Sequence, residues 1–181
     1  MAEIARREPA LEGRACQGQG ISLSPAAPAS RLSLRAPEAS LAGLSQALSL
    51  DLPRRPKSSA TKGPRAALWL GPDEWLVIDE EEADLAAICA AVPALHSAVD
   101  ISHRNVGILV SGARAEEVLN SGCPQDLSSR AFPVGAASRT VFGKAEIVLW
   151  RTGEEAFRVE CWRSFSDYVF SFLEAAARET S

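Results

Sequence analysis

V-D-I-S-H-R-N-V-G-I-L-V-S-G, residues 99–112, is the stretch on which the fold turns. Val106, Ile108 and Val110 alternate with Gly107 and Leu109, the period of an extended chain with one face toward a core. Ser111 and Gly112 then open a helical pattern over residues 113–121. The same stretch holds the Asp–Ser–His cluster of the chain, so it also decides between an enzyme and a scaffold. On a strand, Asp100 and Ser102 share one face and His103 takes the other. A nucleophilic triad needs its base within hydrogen-bond reach of the nucleophile, and a carboxylate behind the base. Near neighbours on one extended segment do not meet that geometry. We therefore read a central strand of a packing scaffold. Asp100 and Ser102 bond backbone groups where it bends, and His103-Arg104-Asn105 forms a kink.

Working outward, the flanking elements repeat. Leu32 and Leu34 alternate as a short strand, and Pro37-Glu38 starts a helix carrying Leu41, Leu44 and Leu48. Two apolar runs around Gly71-Pro72-Asp73-Glu74 predict a β-hairpin over residues 66–79. Asp79 with Glu82 fits a capping-box variant, and Leu85, Ile88, Cys89 and Val92 line the helix that Pro93 ends. After residues 99–112 the order recurs. A helix is stopped by Gly122-Cys123-Pro124. A strand over 140–150, a turn over 151–155 and a strand over 156–162 follow. A last helix beyond Ser164 places Phe165, Tyr168, Val169, Phe172, Leu173 and Ala176 on one stripe.

The economical reading is a duplication of βαββα units. Leu32 and Leu34 take the part of Ile108 and Val110, and Trp75 and Val77 that of Phe157 and Val159. Such units predict an α+β fold with mainly antiparallel sheet and helices packed on its faces. Residues 1–29 show no sustained period and are expected as a flexible or docking arm. Residues 30–181 then form a single domain with halves at about 30–97 and 98–181. Residues 53–64 read as a basic, proline-punctuated loop.

Composition narrows the function. The chain has 181 residues, 46% hydrophobic and 23% charged, an ordinary globular balance. A formal charge of −4 argues against a general nucleic-acid binder. Cys16, Cys89, Cys123 and Cys161 lie far apart, and with His96 and His103 they do not build the clustered ligand set of a zinc site. Gly18-Gln19-Gly20 is a lone G-x-G, short of a dinucleotide fingerprint. No run approaches the ~18 apolar residues of a membrane helix, and the N-terminus lacks a signal-peptide pattern. The expectation is a reduced, cytoplasmic protein.

Taken together, A-L-W-L-G-P-D-E-W-L, D-I-S-H-R-N-V-G-I-L-V-S-G, G-C-P-Q-D-L, F-P-V-G and R-T-V-F-G-K-A-E-I-V-L-W resemble the gamma subunit of heterotetrameric sarcosine oxidase. D-I-S-H with the following V-S-G-A is more distantly similar to the folate-binding domain of the glycine-cleavage aminomethyltransferase. The resemblance implies alpha, beta and delta partner subunits that carry NAD, tetrahydrofolate, FAD, FMN and zinc, with no cofactor in this chain. The complex would oxidatively demethylate sarcosine to glycine, and this chain would stabilise it without catalysing. The alternative is a stand-alone folate-dependent one-carbon transferase or tetrahydrofolate-binding protein. Aligned on that family, Ala145-Glu146 stands where an acidic pair is expected, and Trp162 near an expected amide; both changes count against folate.

On the last strand Phe157, Val159 and Cys161 form the apolar face, which leaves Arg158, Glu160 and Trp162 on the wetter one. A large aromatic among arginines is the composition of an interface hot spot. Trp162, Arg163 and Arg158 are thus the candidate interface, with no catalytic, cofactor or metal residue assigned. The competing reading makes Trp162 core.

Overall fold

Residues 9–179 are described by the computed structural model. In chain order the strands and helices are β1 (Cys16–Gly18), β2 (Ile21–Pro25), β3 (Ser30–Arg35), α1 (Leu41–Leu48), β4 (Ser59–Lys62), β5 (Arg65–Gly71), β6 (Glu74–Asp79) and α2 (Leu85–Ala90). Then come β7 (Ser97–Asp100), β8 (Asn105–Ser111), α3 (Ala115–Asn120), β9 (Ala137–Phe142), β10 (Ala145–Gly153), β11 (Ala156–Trp162) and α4 (Ser166–Glu179). The strands form a five-stranded sheet, β4-β5-β6-β3-β7, and a six-stranded sheet, β1-β2-β8-β11-β10-β9. Every pairing is antiparallel. The α+β expectation holds.

So does the duplication. Leu32 stands opposite Val77 and Leu34 opposite Trp75. In the other sheet Ile108 stands opposite Val159 and Val110 opposite Phe157. The halves nevertheless exchange strands. β2 precedes β3 in the chain but pairs with β8, and β7 precedes β8 but pairs with β3.

That exchange revises two expectations. Within the expected 1–29 arm, β1 and β2 are built into the six-stranded sheet, with Ile21 and Leu23 buried beneath its helices. The part of that arm before Pro9 lies outside the described residues. Residues 99–112 are also not one strand: β7 ends in one sheet, residues 101–104 turn, and β8 begins in the other. The expected kink at His103-Arg104-Asn105 is thus a crossing between sheets, which alternation alone cannot reveal because the apolar period resumes on its far side.

Three apolar clusters give the layering. Leu32, Leu34, Trp75, Val77 and Cys89 pack with Leu41, Leu44 and Leu48 of α1 on the outer face of the five-stranded sheet. Ile108, Val110, Phe157, Val159 and Cys161 pack under α3 and α4 on the outer face of the other. Ala66, Leu68, Leu76 and Ile78 meet Ala137, Val148 and Trp150 between the sheets. The order is helix, sheet, sheet, helix, so both faces of the central strands are covered.

The remaining differences are local. The expected strand over 140–150 is a hairpin, β9 and β10, turning at Gly143, whose φ of 57° is costly for any residue with a side chain. The expected loop over 53–64 contains β4. Asp79 does not cap α2. It is buried on β6, pairs with Arg65 at 2.8 Å, and accepts from the Glu81 amide, while Asp84 caps α2 through the Ala87 amide at 2.9 Å. The buried stripe of α4 runs through Ser166, Val169, Phe170, Leu173, Ala176 and Ala177, which leaves Phe165 and Tyr168 outside it.

Candidate functional site

The crossing from β7 to β8 is fastened by the residues that suggested a triad. The Arg104 and Asn105 amides both donate to the Ile101 carbonyl, at 3.0 and 3.1 Å. Asp100 Oδ1 accepts from the Ser102 amide at 2.7 Å and from its hydroxyl at 2.6 Å. Ser102 Oγ in turn accepts from the Arg31 amide at 2.9 Å. The Ser102 proton thus goes directly to a carboxylate, with no imidazole between them, and His103 sits exposed on the turn. A triad would place the imidazole between them, and here it does not stand there. The cluster ties β7 to β3.

Above this crossing the two sheets are joined by buried charge. Arg31 of β3 donates to Glu160 of β11 through Nε at 2.6 Å and Nη2 at 3.1 Å, and through Nη1 to the Ala29 carbonyl at 3.0 Å. Arg158 donates to the same Glu160 through Nε at 2.8 Å, and to Glu80 through Nη1 at 2.7 Å. Arg31, Arg158 and Glu160 are 4%, 3% and 2% exposed. A Cβ on Gly107 would meet Glu160 Oε1 at 2.8 Å and Arg31 Nη2 at 3.1 Å, so a glycine there lets the pair form. The face of β11 expected to be wetter is in fact the seam between the sheets. Arg158 therefore leaves the candidate interface: it is buried, and its charge serves this seam.

Trp162 and Arg163 remain at the surface. Trp162 is 42% exposed, with the Arg104 guanidinium 5.2 Å from its ring and Phe165 at 6.3 Å. The Arg163 amide donates to the Arg104 carbonyl at 2.6 Å, which fixes the end of β11 against the crossing. Trp162 is a surface residue, not core. Glu146 is exposed on β10, with Arg139 Nε at 3.9 Å. Glu146, Trp162, Arg104, Asn105 and Arg139 border a crevice of about 50 Å³. That space suits a few waters; small-molecule sites run to roughly 300 Å³ and more. A wider groove of about 690 Å³ opens beside His103, but the Arg31 and Ser102 groups along it are already bonded to Glu160 and Asp100.

Among the described residues no group of His, Cys, Asp and Glu is placed to hold a metal ion. Burial, aided by the negative charge of Glu160 and opposed by Arg31, pushes the Cys161 thiol up to about 12. Burial likewise raises Cys89, against a smaller lowering by Arg65. Burial thus disfavours the thiolate, the reactive form, at both positions.

Residues 34–179 match the sarcosine oxidase gamma subunit family. The chain belongs to that family. Sarcosine oxidase gamma subunits from Corynebacterium sp. (strain P-1) and from an Arthrobacter species are each 34% identical to it, over 96% of this chain and 91% of theirs. The solved heterotetrameric sarcosine oxidase from Corynebacterium sp. U-96, in complex with pyrrole 2-carboxylate, contains a similar chain. It is 32% identical with a TM-score of 0.82, over 88% of this chain and 84% of that one. The aminomethyltransferase T of the glycine cleavage system from Bartonella henselae shares the fold alone: TM-score 0.62, 12% identity, over 89% of this chain and 50% of that one.

Measured against this gamma-subunit scaffold, sequence reasoning missed Arg31, Phe165 and Tyr168. S-R-L-S-L-R gave no signal for Arg31, because Arg31, Ser33 and Arg35 alternate with Leu32 and Leu34 as an ordinary solvent face would. Phe165 and Tyr168 fitted the helical period and gave no sign of exposure.

Proposed function

We propose that this chain serves as the non-catalytic gamma subunit of a bacterial heterotetrameric sarcosine oxidase, stabilising a complex that oxidatively demethylates sarcosine to glycine. The observation that carries this reading is the likeness to gamma subunits over 96% of the chain. The geometry supports it: the Asp–Ser–His segment is spent on joining strands, and the crevice beside Glu146 has room for water only. On this reading the alpha, beta and delta subunits hold FAD, FMN, NAD, tetrahydrofolate and zinc, and this chain holds none. It works in the cytoplasm; no helix among the described residues is long and apolar enough to cross a membrane. Trp162 and Arg163 stay accessible and take part in docking.

The test is expression of the chain alone and together with its partner subunits. Alone it is expected to be colourless and inert toward sarcosine, and calorimetry with tetrahydrofolate is expected to give no saturable heat at micromolar concentration. Together, it copurifies with the flavin-bearing chains. Flavin absorbance that follows the isolated chain, or folate binding near ~10 μM, roughly −7 kcal/mol, would overturn the non-catalytic reading.

A further inference from the structure

Among the described residues, the aromatic side chains that stay exposed are Trp162, Phe165 and Tyr168, at 42%, 41% and 41%. All three lie where β11 turns through Arg163–Phe165 into α4, whereas Phe132, Phe142, Phe157 and Phe170 are fully buried. The inward stripe of α4 does not need them, because Val169, Phe170 and Leu173 already fill the core beneath it. They are also held in place. Trp162 lies between the Arg104 guanidinium and the Phe165 ring, and Tyr168 packs edge-on to Phe172 at 6.2 Å. The Tyr168 hydroxyl accepts from the Lys144 amide at 3.1 Å. Ordered aromatics lose little entropy on association, which is why they anchor interfaces.

Two cations around them have no carboxylate partner among the described residues, while the nearby Glu146 faces Arg139 at 3.9 Å. Arg14, Arg31, Arg65, Arg139 and Arg158 all hold carboxylates of this chain. Arg104 and Lys144, at the two ends of the aromatic row, make no ion pair among the described residues, and both are exposed. Asp167, between Phe165 and Tyr168, is taken by Arg14 at 3.2 Å. A second copy of the chain fits poorly here. A two-fold contact puts the same patch on both sides, and would bring these cations against each other.

We propose that this face docks another subunit of the complex. The matching surface is an apolar depression that receives Trp162 and Phe165, bordered by Asp or Glu carboxylates that meet Arg104 and Lys144. The inference rests on the gamma-subunit reading and adds the surface and the chemistry of its partner.

The experiment purifies the assembled complex through a tag on one of the other chains. The double variant Arg104→Glu/Lys144→Glu alters two exposed side chains and should melt like the wild type when alone. It is expected to weaken assembly about 30-fold, the ratio equivalent to the ~2 kcal/mol hot-spot threshold, and Phe165→Ala by a similar factor. Lys62→Glu, an exposed reversal on β4, should leave assembly unchanged. Raising salt from about 0.1 to about 0.5 M should weaken the wild-type contact and not that of the double variant. If both variants are retained like the wild type, the surface is wrong while the subunit reading stands. If the wild type itself is not retained, the subunit reading falls and this proposal with it. If the isolated chain dimerises through this face and the charge reversal strengthens the dimer, a second copy is the occupant and the proposal is overturned.

Discussion

Replacing Glu160 with Gln removes one negative charge from between two buried cations. Its Oε1 accepts from Arg158 Nε at 2.8 Å and Arg31 Nη2 at 3.1 Å, and its Oε2 from Arg31 Nε at 2.6 Å. The three side chains are 1%, 4% and 5% exposed, so water cannot replace what is lost. A glutamine keeps one acceptor oxygen and turns an amide NH₂ toward a guanidinium, donor against donor. Arg158 keeps the Glu80 carboxylate at 2.7 Å, but Arg31 is left with neutral acceptors alone, the Ala29 carbonyl and the amide oxygen. Breaking a buried pair on one side costs about 3–5 kcal/mol, because the surviving charge stays desolvated. At about 2–4 °C per kcal/mol for a chain of this size, the melting temperature should fall by about 6–20 °C. Thermal melting and urea unfolding of the isolated chain measure this. The triple variant Arg31→Met, Arg158→Leu, Glu160→Leu removes the three buried charges at once, leaves Glu80 in solvent, and should recover most of the loss, since apolar replacement of a buried ion network is often near neutral. A Glu160→Gln melting temperature within about 2 °C of wild type would refute the view that this seam joins the sheets. A triple variant less stable than the single one would refute the charge argument.

Two further outcomes are expected. Ser102→Ala should lower unfolding free energy by about 1 kcal/mol, the worth of its lost hydroxyl bonds, and leave sarcosine turnover by the assembled complex within about twofold; a loss of ~10³ would mean that Ser102 is a nucleophile. Native-state alkylation near pH 8 followed by mass spectrometry should modify the half-buried Cys16 before the buried Cys89 and Cys161. The raised Cys161 thiol carries almost no thiolate until the pH nears 12, so its label should appear only on unfolding, and labelling of Cys161 in the folded chain at pH 8 would contradict its burial.

The sequence by itself determined the repeated order of elements and the core-facing side chains of its central strands. Side-chain alternation is a local property, and Leu32, Leu34, Ile108 and Val110 carry it without reference to anything distant. The exposure of Trp162 did not follow from it, because alternation puts Trp162 on the face of Arg158 and Glu160, which is buried. Partner strands did not follow, because β2 reads equally well beside β3 or β8, and only pairing across the chain chooses between them. The bend at residues 100–105 was legible, but the change of sheet there was not, because a strand leaving one sheet and entering another keeps its period. Charge misled in the other direction. Arg158 and Glu160 look like a solvent face until a second sheet covers them, and what makes that burial tolerable is Arg31, 129 residues away in the chain from Glu160. Likewise Phe165 and Tyr168 match the helical period of α4, yet Val169 and Phe170 take the inward positions. Periodicity says that a side chain belongs to a face; only packed tertiary structure says which face has a neighbour.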